Sequence, residues 1–247
     1  MKMTRLLVII ILFIILVALL SCGKDAKKGI PYNPEAYLKR ADKLINDKDY
    51  EEARKLLFEL KNRDQTKQYA PIAQLKIADS YIRDGDYNLG AEEYRKFIEQ
   101  YPDNPYASHA QYQIAMAYFN QIEAPDKGAG AAQKALREFQ RLKELYPRNP
   151  YREVINIRIE KTLNTLAESE FMIGEFYFKK GSYIAAIGRF EGLLAKYPNY
   201  KNTDQTLYLL GISYKSLKKI EKAKTIFKEL IQRFPDSRFT ERAKKEI

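Results

Sequence analysis

A small residue followed three positions later by a large one occurs five times along this 247-residue chain, as Ala41/Leu44, Ala78/Tyr81, Ala115/Tyr118, Gly174/Tyr177 and Gly211/Tyr214. Successive small positions lie 37, 37, 59 and 37 residues apart. Nine residues after the large position comes a second small one, at Ala53, Gly90, Ala186 and Ala223; in the third unit it is Ala135, seventeen residues on. Four residues further stands Leu57, Tyr94, Phe139, Phe190 or Phe227, and in four units a proline follows after eight more, at Pro102, Pro147, Pro198 and Pro235. Small residues let two helices approach closely, large ones fill the hole on the neighbouring helix, and proline stops the second helix. A unit of this size cannot bury its apolar face alone, so the units must stack.

The pattern is the signature of a tetratricopeptide repeat (TPR), a pair of antiparallel helices, with a period three longer than the usual 34. It predicts an all-α chain of five TPR-like helix pairs forming a right-handed α-solenoid over 34–247. The repeats are placed at about 34–67, 68–104, 105–149, 150–200 and 201–236, with a polar C-terminal cap over 237–247. Repeat three carries eight extra residues around Ala124 to Ala131, read as a flexible insertion despite a weak phosphate-loop echo at Gly128 to Gly130. A helix extended from about Pro150 to Lys180 accounts for the rest of the wide spacing.

The N-terminus has a separate logic. Lys2 and Arg5 precede an uninterrupted apolar run from Leu6 to Leu20, and Leu19-Leu20-Ser21-Cys22 closes it. Fifteen helical residues span about 22 Å, short of a hydrocarbon core of roughly 30 Å, so residues 1–21 read as a secretory leader. The ending resembles a lipobox, although Leu20 is bulkier than the residue often found there. Cys22 is the only cysteine of the chain and the expected lipid attachment point, with N-acyl and S-diacylglyceryl groups sufficient for stable anchoring. The alternative is an uncleaved anchor with an incidental cysteine. Residues 22–33 then form a polar tether, and Gly23 after the cysteine, by resemblance to sorting signals, directs the protein to the periplasmic face of the outer membrane.

One histidine and one cysteine leave no Cys/His zinc site and no disulfide framework, so no cofactor beyond the lipid is expected. The acidic pair Glu92/Glu93 reads as solvated helix surface, and Asp84-Gly85-Asp86 as an inter-helix turn rather than a calcium loop. No nucleophile–base set is marked, and the expectation is a non-enzyme. The formal charge of +11, about +9 without the leader, reads either as the solvated faces of many helices or as a fit to acidic protein or lipid partners; an exported chain would not meet nucleic acid.

A TPR array binds on the face lined by the first helix of each repeat. In repeat two the inward positions are Ile72, Leu75, Asp79 and Ile82; in repeat three His109, Tyr112, Met116 and Phe119; in repeat four Glu168, Phe171, Glu175 and Phe178. Aromatic and methionine side chains suit an extended peptide with aromatic anchors, making Tyr112, Met116, Phe119, Phe171 and Phe178 the candidate groove. Coverage of this face by adjacent repeats or by the long fourth-repeat helix is the competing possibility.

Along nearly its whole length the chain resembles the BamD family. The resemblance rests on the lipobox, five degenerate TPRs, the third-repeat insertion, and the stretch Leu166-Ala167-Glu168-Ser169-Glu170-Phe171 through Gly181-Ser182-Tyr183-Ile184-Ala185-Ala186-Ile187. It implies an essential lipoprotein of the outer-membrane β-barrel assembly machine. The implied partners are unfolded barrel proteins at the N-terminal repeats, the POTRA domains of the barrel-forming subunit BamA at the C-terminal ones, and other Bam lipoproteins. Arg189, in Gly188-Arg189-Phe190-Glu191-Gly192, matches the family arginine that pairs with an acidic POTRA residue. The first repeat departs: Asn62 matches, but Asp64-Gln65 stands where a Tyr-Pro that contributes to substrate recognition belongs. A pilotin-like chaperone of one secretin, or an envelope TPR adaptor, are the alternatives.

Overall fold

A computed structural model describes residues 32–247; the leader, Cys22 and most of the tether lie outside the described residues. The described chain contains helices and turns and no strand. Five antiparallel pairs follow one another: α1 (Pro34–Asn46) with α2 (Tyr50–Arg63), α3 (Ala70–Asp84) with α4 (Tyr87–Gln100), and α5 (Ala107–Phe119) with α6 (Gly130–Leu145). Then come α7 (Arg152–Lys179) with α8 (Tyr183–Lys196), α9 (Thr203–Ser216) with α10 (Ile220–Arg233), and a short α11 (Arg238–Lys244). Each helix packs on the next, which is the contact pattern of a solenoid.

Local chemistry explains the element ends. Asn33 caps α1, its side chain accepting from the Ala36 N–H at 3.1 Å, and Pro34 supplies the first-turn φ. Within four repeats the two helices join through the same turn. Asp49, Asp86, Ser182 and Lys219 each donate a backbone N–H to the carbonyl five residues back, at 2.8–3.0 Å. The residue before each is left-handed: Gly85 and Gly181 in repeats two and four, Lys48 and Lys218 in repeats one and five. The insertion of repeat three joins α5 to α6 through a short 3₁₀ turn, Pro125–Lys127, that packs against α7.

The recurring large residues form the spine of the core. Leu57, Tyr94, Phe139, Phe190 and Phe227 are all fully buried. Phe190 and Phe227 enter the space left by Gly174 and Gly211 on the first helices of their repeats. A Cβ built on Gly174 would lie 2.6 Å from Phe190, so glycine there is a condition of the close approach. The C-terminal cap is more apolar than its sequence suggests: Phe239 of α11 is buried and lies 5.6 Å, centroid to centroid, from Tyr208 of α9.

Candidate functional site

The first helices of repeats one to three line a continuous trough. Its first part, a cavity of about 300 Å³, lies between Asp42, Ile45 and Asn46 of α1 and Lys76, Asp79 and Arg83 of α3. The second part, about 410 Å³, continues past Ile72, Leu75 and Asp79 to Tyr106, His109 and Tyr151. The first part is lined mainly by charged and polar side chains of both signs, and the second is mainly apolar, with Ile72, Leu75, Tyr106 and Tyr151. Lys76 pairs with Asp42 across the two repeats at 2.5 Å. Asp79 accepts a hydrogen bond from the Tyr94 hydroxyl, which comes through from α4 behind it. Burial, reinforced by the Asp79 charge, pushes the Tyr94 phenol well above its ordinary range and keeps it a donor.

At repeat three the trough is closed by α7. This helix has 28 residues against 13 to 16 for its predecessors, and side chains from its first half reach over α5. The Tyr151 ring, just before α7, stacks on Tyr112 with centroids 4.1 Å apart and planes 7° from parallel. Its hydroxyl meets His109 Nδ1 at 2.7 Å. Arg158 and Lys161 lie over the Phe119 ring at 4.8 and 5.6 Å. Phe119 is therefore only 9% exposed, and Met116 is half-buried against the same core.

Repeat four shows the same correction to the groove read from the sequence. Phe171 is 5% exposed, wedged against Phe190 and Tyr200 at 6.0 and 6.1 Å, and Phe178 packs on Tyr183 at 5.8 Å. Phe119 and Phe171 are core residues, and Tyr112 is occupied by Tyr151. The residues that line the open trough are instead Ile72, Asp79, His109 and the two tyrosines that precede first helices, Tyr106 and Tyr151. A signal for these tyrosines exists in the repeated Asn-Pro-Tyr at 104–106 and 149–151. In both copies the asparagine Oδ1 accepts from the tyrosine N–H at 2.9 Å, which aims the ring from a rigid turn.

The Asp64 departure has a local purpose. Its buried carboxylate accepts from the backbone N–H groups of Tyr69 and Ala70 at 2.6 and 2.7 Å and from the Thr66 hydroxyl at 2.7 Å, closing the N-terminus of α3. Burial alone would raise its pKa, but these donors outweigh it and hold the group below the usual carboxylate range.

Arg189 stands apart from the trough, on α8. Its Nη1 donates to Glu170 Oε2 of α7 at 3.3 Å, and its side chain is 47% exposed. Added Cβ atoms at the flanking Gly188 and Gly192 would meet nothing within 4 Å, so the arginine rises from an unobstructed stretch of helix.

Residues 32–226 match the YfiO family, described as outer membrane lipoprotein. The chain belongs to that family. Among curated relatives, YfiO-family similarity extends to the outer membrane protein assembly factor BamD of Neisseria gonorrhoeae, 29% identical over 114 residues, or 46% of this chain and 43% of that one. It extends also to BamD of Caulobacter vibrioides, 29% identical over 124 residues, 50% and 41% of the two chains. A shorter match to BamD of Rickettsia prowazekii is 33% identical over 94 residues, 38% of each. The chain thus spans less than half the length of these relatives. Among solved structures it is similar to the TPR2AB-domain:pHSP90 complex of yeast Sti1, with TM-score 0.49 and 13% identity over 85% of this chain and 81% of that one. Another is YrrB, a TPR protein with an unusual peptide-binding site, at TM-score 0.34 and 18% identity over 86% and 92%. In this YfiO-family chain no described helix is long and apolar enough to cross a membrane, and no described His/Cys/Asp/Glu group could hold a metal ion.

Proposed function

We propose that this chain is a non-catalytic scaffold of the outer-membrane β-barrel assembly machine, held to the periplasmic face of the outer membrane by lipid on Cys22. In this reading the trough of repeats one to three receives extended segments of unfolded barrel proteins. Arg189 docks on a carboxylate of a BamA POTRA domain, and the remaining surface is available to other Bam lipoproteins. The observation that carries the reading is the separation of two surfaces on one helical array. A trough lies on α1, α3 and α5, charged between α1 and α3 and apolar between α3 and α5, and an exposed arginine with free donors lies on α8. One surface can hold a client while the other holds the machine.

The test uses the full chain in its membrane. Arg189→Glu replaces a docking fork by a like charge, and removing a buried charge partner costs about 2–5 kcal/mol, thirtyfold or more in affinity. BamA should be lost from the material that co-purifies with it. Photo-crosslinkers at Ile72 and Tyr106, rather than at the covered Tyr112 and Phe119, should capture barrel proteins. Unchanged BamA recovery at elevated salt counts against the docking surface, and capture of a single secretin supports a pilotin instead.

A further inference from the structure

The Glu170–Arg189 contact occupies a position that is used differently in the two preceding repeats. In repeat two Gln74, four residues before the small Ala78, donates from Nε2 to the Glu93 backbone oxygen at 2.9 Å and to Glu93 Oε2 at 2.7 Å. In repeat three Gln111, four residues before Ala115, donates to the Glu138 backbone oxygen at 3.3 Å and to Glu138 Oε2 at 2.8 Å. Glu93 and Glu138 each lie three residues after the second small position, Gly90 or Ala135. In repeat four the same register gives Glu170, four before Gly174, and Arg189, three after Ala186. The polarity of the seam is inverted: the second helix now carries the donor and the first helix the acceptor.

The inversion also opens the site. Gln74 and Gln111 are buried, and each glutamate partner is closed off by a cation, Lys96 on Glu93 at 2.7 Å and Arg95 on Glu138 at 3.0 Å. Glu170 and Arg189 keep 35% and 47% of their side-chain exposure. Among the described residues Arg189 has no other ionic or hydrogen-bonded protein partner, so its Nε and Nη2 donors stay free. An arginine holds a carboxylate best through two parallel N–H groups, and a flexible side chain loses affinity to the ordering that such a pair demands.

We infer that Glu170 is a positioning residue for Arg189. By accepting one N–H from across the α7–α8 seam, it orients the guanidinium so that the Nε/Nη2 edge faces outward for a partner carboxylate. The inference rests on the docking role proposed above for Arg189. It assigns a specific job to Glu170, whose own negative charge would otherwise only repel an acidic partner.

Affinity of the lipidated full chain for the purified POTRA region of its BamA partner tests the assignment, with thermal unfolding of each variant as a control. Glu170→Ala should bind roughly five- to tenfold more weakly while unfolding close to the native temperature, since exposed ion pairs contribute little to stability. Glu170→Gln keeps an acceptor oxygen for Nη1 and should return binding to within about twofold of native. The charge-swapped pair Glu170→Arg with Arg189→Glu keeps the internal contact and should not bind. Native affinity for Glu170→Ala beside a failing Arg189→Glu overturns the positioning role and leaves the docking reading intact. Glu170→Gln as weak as Glu170→Ala also overturns it. Native affinity for Arg189→Glu removes the docking reading itself.

Discussion

Alanine in place of Gly174 adds one methyl at the closest approach of α7 and α8. Built on the native backbone, that carbon lies 2.6 and 2.8 Å from two ring atoms of Phe190 and 3.2 Å from a third, where carbon atoms need about 3.5–4.0 Å. Phe190 cannot yield toward solvent, because it is fully buried and packs against Phe171. Overpacking of this kind costs about 1–3 kcal/mol, and the overlap with a locked ring points to the upper part of that range. Against it stands a gain of about 1 kcal/mol from removing glycine from a helix interior. The net expectation is a loss of about 1–2 kcal/mol. Gly188→Ala, fourteen residues on in the partner helix of the same repeat, makes the identical chemical change where nothing lies within 4 Å. It should stabilise by about 0.5–1 kcal/mol. Urea unfolding followed by helical circular dichroism compares the two midpoints, with the slope checked for constancy. The difference between the variants should reach about 2 kcal/mol, or several degrees in melting temperature. Equal stabilisation by both would refute the claim that close helix approach is what requires glycine at 174.

Two further outcomes follow from other parts of the chain. Tyr94, Tyr200 and Tyr214 all have phenols raised above the usual tyrosine range, Tyr94 and Tyr200 mainly by burial. Tyr214 is pushed up to about 12, first by its hydrogen bond to Glu191 and then by burial. An unfolded tyrosine ionises near pH 10, so the stability these groups contribute is complete below about pH 10 and is lost as pH rises toward 12. Absorbance at 295 nm should show these phenols ionising only together with loss of helix, and their titration alongside the exposed tyrosines contradicts the assignment. Tyr151→Ala removes the stack on Tyr112 and the contact to His109; the aromatic pair alone is worth about 0.5–1.5 kcal/mol. It should lower the melting temperature by a few degrees and let a crosslinker at Met116 capture peptide, and identical capture in both backgrounds would show that Tyr151 does not close the trough.

The repeat pattern carried most of the architecture because its information is local. Ala41, Ala78, Ala115, Gly174 and Gly211 report where two neighbouring helices touch, and Leu57 through Phe227 report what fills the gap, all within one unit. The turn at Asp84-Gly85-Asp86 was equally legible, while Lys48 and Lys218 adopt the same left-handed conformation as Gly85 with no residue type to announce it. Asp64 looked like a lost recognition residue, and only the folded chain shows it capping α3.

The groove was the least legible part, for a reason of geometry. Helical periodicity assigns Tyr112, Phe119 and Phe171 to inward register positions, yet Phe119 and Phe171 pack into the core against Phe139 and Phe190, and Tyr112 lies under Tyr151. Whether an inward position is open depends on what lies across it. Here that is settled by a helix of 28 residues whose first half reaches over the preceding repeat, and by Tyr151, 39 residues downstream of Tyr112. The sequence alone determined that this chain stacks paired helices, since that follows from spacing within a repeat. Tertiary structure alone decided which part of the inward face stays open and that Glu170 meets Arg189, because both depend on how long helices lie against one another across the array.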